Sequence, residues 1–398
     1  MEEGKNVDVI YLDFAKAFDK LDFNITLQKL HNMGITGKIH SWIKSFLTRR
    51  CQVVHVRGAK SETEPVISGV PQGSVIGPLL FLILIGDIDK RVLTSSVSSF
   101  ADDTRVLGQI TDEEDADRLQ TDLNTIYDWS NVNNAQLNAE KFECLRYGNN
   151  LHIKATTSYR SNGDTVIQSK NSLRDLGVTM SSDAKFGEHI TNITLSANLK
   201  CAWVLRTFHT REQKLMLLLW KSLILPVLDY CCQLWTPTAL GQIQDLEKVQ
   251  MSYLKKISGI STMDYWQQLK YLKIYSLQRR RERYVIIYLW KTLEEMVPNF
   301  GIKQMCNGRH GRYCLVPHVK TTAPVRVQNI RFSSLSVNGP RLFNILPHNI
   351  RNMTGCSIDS FKKALDKHLQ AVPDEPRVKK MIQFCSKSSN SLLEMKSQ

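Results

Sequence analysis

Ser96-Val97-Ser98-Ser99-Phe100-Ala101-Asp102-Asp103-Thr104-Arg105-Val106-Leu107 is the stretch on which the reading of this chain turns. Two adjacent carboxylates lie between two short runs of strand-forming residues, and Gly108 stops the second run. Runs this short around a polar pair predict strand, turn, strand. Neighbours on a strand face opposite ways, but at a tight turn Asp102 and Asp103 can aim at one point. Held that close, two like charges repel, and a divalent cation removes the cost. The plainer alternative is a turn with no metal, since aspartate is common in turns.

A third carboxylate sits upstream. Val7-Asp8-Val9-Ile10-Tyr11-Leu12-Asp13-Phe14 reads as a β-rich run with Asp13 at its end. A buried strand delivering one aspartate beside a hairpin tip with two more suits a pair of Mg²⁺ ions. They would lie about 3.5–4 Å apart, arranged for in-line phosphoryl transfer. Oxygen-only ligands favour Mg²⁺ or Mn²⁺ over zinc.

Three motifs then follow one another: Asp13-Phe14-Ala15-Lys16-Ala17-Phe18-Asp19, Ser68-Gly69-Val70-Pro71-Gln72-Gly73-Ser74, and Phe100-Ala101-Asp102-Asp103. In this the chain resembles the reverse transcriptases of non-LTR retrotransposons, the LINE-like polymerases of jockey or CR1 type. The likeness continues at Leu137-Asn138-Ala139-Glu140-Lys141 and Asp175-Leu176-Gly177-Val178. It reaches the C-terminal half at Leu225-Pro226-Val227-Leu228-Asp229-Tyr230 and Gly339-Pro340-Arg341-Leu342-Phe343-Asn344.

The resemblance implies an α+β fold: a palm with an antiparallel sheet and packed helices over residues 1–182, then a mostly helical thumb, 183–300. A C-terminal extension, 301–372, and a partly disordered tail, 373–398, would follow. It also implies an RNA-directed DNA polymerase that adds dNTPs to a DNA primer's 3′-hydroxyl on an RNA template. Asp13, Phe14, Asp102 and Asp103 would hold Mg²⁺ or Mn²⁺. Lys141 stands where the family has a lysine near the incoming triphosphate, and a solvated lysine is its ordinary alternative. Phe18 stands where an aromatic blocks the ribose 2′-hydroxyl, and a plain core residue is its alternative. Phe14, Pro71, Gln72 and Gly73 would border nucleotide or template, and Leu176 and Gly177 would grip the primer's 3′ end. An RNA-directed RNA polymerase fits less well, because of Phe18 and because Ala101 stands where that class has glycine. The family carries a fingers domain upstream, whereas twelve residues precede Asp13 here. The expectation is therefore an N-terminally truncated copy with weakened nucleotide binding, or else a non-catalytic nucleic-acid-binding or inert remnant.

Composition sets the outer bounds. A chain of 398 residues can bury a large core and divide into two or three domains. The longest apolar run, 79–85, is too short to cross a bilayer. The N-terminus lacks a signal peptide's apolar core. Nine cysteines without framework spacing suggest reduced thiols. The expected setting is intracellular, in nucleus or cytoplasm, with no secretion and no membrane partner. Charge is uneven: residues 1–150 carry a net −5 and residues 151–398 a net +19. An acidic half beside a basic half suits carboxylate chemistry coupled to phosphate binding.

Along the chain, Asn24 is expected to cap a helix ending at Gly34. A second helix would bury Ile39, Trp42, Ile43, Phe46 and Leu47. Strands are expected at 52–56, 64–67, 144–147, 153–155 and 165–168, and a helix at 79–88. Acids from Asp112 to Asp117 read as the first turn of a helix. Beyond 185 the pattern turns helical. Arg279, Arg280, Arg281 and Arg283 head one helix and suggest a phosphate-binding face. A nuclear import signal is the weaker reading, and a solvated face is the plainest. Cys306, His310, Cys314 and His318 recur every four residues, but this spacing and the intervening Gly308, Gly311 and Pro317 argue against one zinc site.

Overall fold

Strand β1, Asn6–Leu12, occupies the middle of a five-stranded sheet. The computed structural model describes residues 5–161, 165–307, 311–376 and 390–394. The chain divides into two compact units, 1–173 with 181–183, and 174–180 with 184–398.

In the first unit β1 is followed by α1 (Phe23–Asn32), α2 (Gly37–Leu47), the short strands β2 (Arg50–Gln52), β3 (His55–Val56), β4 (Ala59–Lys60) and β5 (Glu64–Val66), and α3 (Gly77–Ile85). Then come β6 (Ser96–Phe100), β7 (Asp103–Ile110), α4 (Glu113–Val132), β8 (Glu143–Tyr147), α5 (Leu151–Thr156) and β9 (Gln168–Lys170). The sheet order is β6-β7-β1-β8-β9. β7 and β8 flank β1 antiparallel, while β9 joins β8 parallel at the edge. Ile10, Leu30, Phe81, Val106, Leu123 and Cys144 belong to one core shared by sheet and helices. Even a polar residue is buried in β1. Asp8 accepts from Arg146 Nε at 2.9 Å and from the Tyr159 hydroxyl at 2.7 Å. Burial pushes its carboxyl up, against the pull of the Arg146 guanidinium.

Local chemistry moved several expected boundaries. α1 is capped by Asp22 and not by Asn24: its carboxylate accepts from Ile25 N at 2.9 Å. α2 buries Ile43 and Leu47, but Ile39 and Trp42 are 65% and 58% exposed. Trp42 stacks instead on Phe46, ring centroids 5.8 Å apart. Residues 153–155 are helical in α5, because the Asn150 side chain accepts from Ile153 N and starts a turn.

The second unit opens with the strand pair β10 (Ser172–Asp175) and β11 (Val178–Ser181), whose first residues close the other unit. Helices follow: α6 (Gly187–Thr207), α7 (Gln213–Leu219), a π-helical turn (Trp220–Ile224), α8 (Leu225–Asp229), α9 (Cys232–Trp235), α10 (Leu240–Leu254), α11 (Tyr265–Leu272) and α12 (Leu277–Leu293). The wide turn precedes Pro226, which has no N–H to continue the α-helical ladder. The pair β12 (Gln304–Asn307) and β13 (Gly311–Cys314) leads to α13 (Val325–Ser333), α14 (Leu335–Asn344), α15 (His348–Arg351) and α16 (Ile358–Ala371). α12 gives Leu277 to one core, with Trp220 and Tyr253, and Ile286 and Trp290 to another, with Phe343 and Phe361. The described part of the tail is ordered against α12. Asn390 and Leu392 are buried, and the Leu392 N–H donates to Glu282. The remainder of the expected disordered tail lies outside the described residues.

Candidate active site

Register brings the first and third motifs onto neighbouring strands. Leu12 of β1 pairs with Thr104 of β7. One more step in the same antiparallel register sets Asp13 opposite Asp103. β6 and β7 pair as far as Phe100 and Asp103, which leaves Ala101-Asp102 as a two-residue turn. Ala101 adopts a left-handed φ of 52°, the kind of backbone that two-residue hairpins demand and that side chains other than glycine resist. Asp102 and Asp103 are exposed. Directly behind them Thr104 is buried, its hydroxyl donating to Ser99 Oγ at 2.9 Å.

The hairpin is anchored from below by a residue that the motifs do not include. Asp122, on α4, is buried and accepts from the N–H groups of Leu93, Thr94 and Ser95 and from the Thr94 hydroxyl, at 2.8–3.0 Å. These three residues feed directly into β6. Burial pushes the Asp122 carboxyl up, but the N–H of Leu93 with the Ser95 and Thr94 groups outweighs it and holds the carboxyl below its ordinary value. A lone aspartate within an acidic helix gave no sequence signal of this.

Asp13 continues β1 into a turn pinned from both sides. Asn138 N donates to Asp13 O, and Ala15 N to Gln136 O, each at 2.8 Å. The same segment carries Lys141, whose Nζ lies 3.2 Å from Asp13 Oδ2. Lys141 is 64% exposed, so the pair is a mobile surface contact of small energy. Phe14 is buried and its ring meets Phe81 edge-on at 6.0 Å; Phe18 is half-buried at 5.1 Å from the same ring. Phe18 is thus both part of the core margin and partly open.

The loop 68–74 docks onto the turn after Asp13. Gly69 N donates to Leu21 O and Val70 N to Phe18 O, while the Gln72 amide donates to Asp19 Oδ1 at 3.0 Å. Gly69 has φ +80°, and a Cβ there would stand 2.5 Å from Asp19 O, so only glycine permits this approach. Gln72 and Gly73 are exposed and Pro71 half-buried, five or so residues before α3. Asp13, Phe18, Gln72 and the Asp102–Asp103 tip therefore belong to one unit.

A hard divalent cation fits this donor set. Three carboxylates supply oxygen, and Phe14, with no polar side chain, could add only its carbonyl. Asp13 Oδ2 is shielded from solvent and faces the Lys141 ammonium at 3.2 Å, a position that a metal cation could take over. The side chains as placed do not yet converge: among the described residues no three His, Cys, Asp or Glu side chains form a metal-holding group.

Other expected site residues lie in the second unit. Leu176 and Gly177 form the turn between β10 and β11, both with positive φ. The Tyr230 hydroxyl donates to Leu176 O at 2.9 Å, and its ring abuts Gly177. The arginine run does not form the expected phosphate face. Arg279 and Arg281 are buried, Arg280 Nε bonds both Asp229 oxygens at 3.0 and 2.8 Å, and Arg283 pairs with Asp366. Their helix turns these side chains inward, where buried Glu247 and Glu282 and the nearby Asp229 balance the charge. His310 of the Cys/His series lies outside the described residues.

Residues 1–180 match the family described as reverse transcriptase (RNA-dependent DNA polymerase). The RNA-directed DNA polymerase from mobile element jockey of Drosophila melanogaster is 28% identical over 289 residues, 69% of this chain and 31% of that protein. The probable RNA-directed DNA polymerase from transposon X-element of the same species is 27% identical over 263 residues, 63% of this chain and 28% of that one. The chain thus spans about three tenths of these relatives' length. A remote structural likeness, TM-score 0.39 at 10% identity, links 73% of this chain to 52% of apo telomerase from Candida tropicalis. Reverse transcriptases use divalent metal ions. Residues 1–180 thus match a reverse transcriptase domain, and the relatives that match 63–69% of this chain are RNA-directed DNA polymerases of mobile elements.

Proposed function

We propose that this chain is an RNA-directed DNA polymerase that extends a DNA primer with dNTPs on an RNA template, with Mg²⁺ or Mn²⁺ as cofactor. The observation that carries the reading is the β1–β7 register, which ends with Leu12 opposite Thr104, the residues next to Asp13 and Asp103, with Asp102 in the adjoining turn. When bound by Asp13, Asp102, Asp103 and the Phe14 carbonyl, the metal pair would activate the 3′-hydroxyl and stabilise the pyrophosphate leaving group. Lys141 neutralises Asp13 in its absence and can turn to the triphosphate, where its ammonium can supply a proton to the departing pyrophosphate. Phe18, fixed against Phe81, presents a flat barrier at the sugar and so favours deoxynucleotides. Gln72, oriented by Asp19, and the Gly73 backbone border the base pair being formed. RNA, DNA primer and dNTPs are the partners on this reading, inside the cell, in nucleus or cytoplasm.

Primer extension on an RNA template with Mg²⁺ tests it. The wild-type chain should extend the primer. Asp102→Asn should lose activity by at least about a hundredfold, with an unchanged fold, because one charge is removed from transition-state stabilisation. Extension by the variant at the wild-type rate would refute the assignment. Template binding without extension by the wild type would favour a non-catalytic nucleic-acid-binding role.

A further inference from the structure

Within the second unit, the corner between α11 and α12 and the last turns of α16 border two cavities that share Lys273, Ile274, Tyr275 and Gln370. The first, about 400 Å³, is lined by Lys221, Lys273, Arg280 and Arg283, with Asp366 as its one lining carboxylate. The arginines are committed to neighbours: Arg283 to Asp366, and Arg280 to Asp229 and the Tyr284 hydroxyl. The lysines are not. Among the described residues neither ammonium has an ion-pair or hydrogen-bond partner, and both residues are exposed. Lys273 reaches its position from a left-handed backbone, φ 53°, at the end of α11. Two unneutralised positive charges therefore face a cavity whose arginine wall is already held rigid by carboxylates.

The adjoining cavity, about 470 Å³, has a different character. Trp266, 38% exposed, lines it with Lys270, the apolar Leu369 and Val372, and two acids, Asp374, which is engaged by Ser276 and Asn390, and Glu375. A cationic recess that opens into an aromatic one provides what a nucleic-acid strand needs: a phosphate seat beside a surface on which a base can stack. A cation would be repelled by the two unneutralised lysines of the first cavity. A wholly apolar ligand would leave those charges desolvated without a partner.

We infer that this double cavity is a binding groove for single-stranded nucleic acid, with a phosphate at Lys221 and Lys273 and a base against Trp266. The inference rests on the reading of the chain as a nucleic-acid-handling protein, but the groove involves no palm residue. Arg280 and Arg283 of the arginine run line the first cavity but are held by Asp229 and Asp366, so the phosphate contact falls to the two lysines.

The test is fluorescence anisotropy of a labelled 12-residue oligouridylate with the full chain in EDTA, across a series of salt concentrations. Lys221→Gln with Lys273→Gln should weaken binding. It should flatten the log–log salt slope by about 1.4, at roughly 0.7 per single-strand phosphate contact. Trp266→Ala should weaken binding about 5-fold or more and leave the slope unchanged, because stacking releases no counterions. Circular dichroism and Tm equal to wild type confirm that the exposed lysines are not structural. Inorganic phosphate and ATP should compete far less well than unlabelled oligomer at equal phosphate concentration. An unchanged affinity and slope in the lysine variant would overturn the proposal, as would phosphate competing as well as the oligomer, since that describes an anion pocket only. Failure of primer extension with these binding results intact would count against the polymerase reading and leave the groove standing.

Discussion

Removing the Asp122 carboxylate should loosen the hairpin that carries Asp102 and Asp103, from a distance. Its two oxygens accept four hydrogen bonds, from Leu93 N, Thr94 N, Ser95 N and the Thr94 hydroxyl. Hydrogen bonds to a charged acceptor contribute about 1.5–3 kcal/mol each. The sum overstates the loss, because Leu93 and Thr94 are exposed and water can reach their released donors. A local cost of about 2–4 kcal/mol is expected for Asp122→Ala, so amides of 93–100 should exchange with solvent roughly 30-fold faster or more. Asp122→Asn should cost about half as much: its oxygen can keep the three donors at Oδ2, while its NH₂ faces the N–H of Leu93. Hydrogen exchange with mass spectrometry on peptides spanning 93–110 reads this directly. Because the folded-state carboxyl is held below its ordinary value, its contribution is complete above about pH 4 and is lost as pH falls through the folded pKa. Asp122→Ala should remove that part of the acid sensitivity. Unchanged exchange over 93–100 in the alanine variant would refute the anchoring argument.

Arg146→Met should destabilise the first unit by about 3–5 kcal/mol, by leaving Asp8 buried without its partner; Asp8→Leu in the same chain should recover most of the loss, and urea denaturation checks both. Phe18→Ala should raise ribonucleotide relative to deoxynucleotide incorporation by tenfold or more in single-turnover extension. An unchanged ratio would return Phe18 to a packing role alone.

Much of the palm could be read from the chain because its signals are local. β1 is a β-rich run, α4 opens on a cap and acids, and the hairpin has short strands around a polar pair. All three formed where expected. What could not be read depended on long-range partners. Residues 151–156 have strand-compatible composition, yet Asn150 captures the Ile153 N–H and turns them into a helix. Ile39 and Trp42 fit a buried stripe by spacing alone, but spacing does not say where the neighbouring surface ends. That the end of β1 and the hairpin tip lie on neighbouring strands follows from simple geometry, a hairpin and an antiparallel register. Asp122, Asp19 and Tyr230 could not be read in this way, because each acts on partners 27 to 54 residues away.

The inward-turned arginines bear on trafficking. A receptor that carries a protein by a basic run must reach the side chains of that run. Here Arg279 and Arg281 lie beneath the surface, with Pro373 O and Asn390 O accepting from Arg279 Nη2 at 3.1 and 3.3 Å. Arg280 and Arg283 are occupied by carboxylates from α8 and α16. Any receptor would have to unwind the start of α12, detach the 390–394 segment and strip two ion pairs before it found four free guanidiniums. The run can therefore serve as an address only on a chain that has not yet folded, and folding erases it.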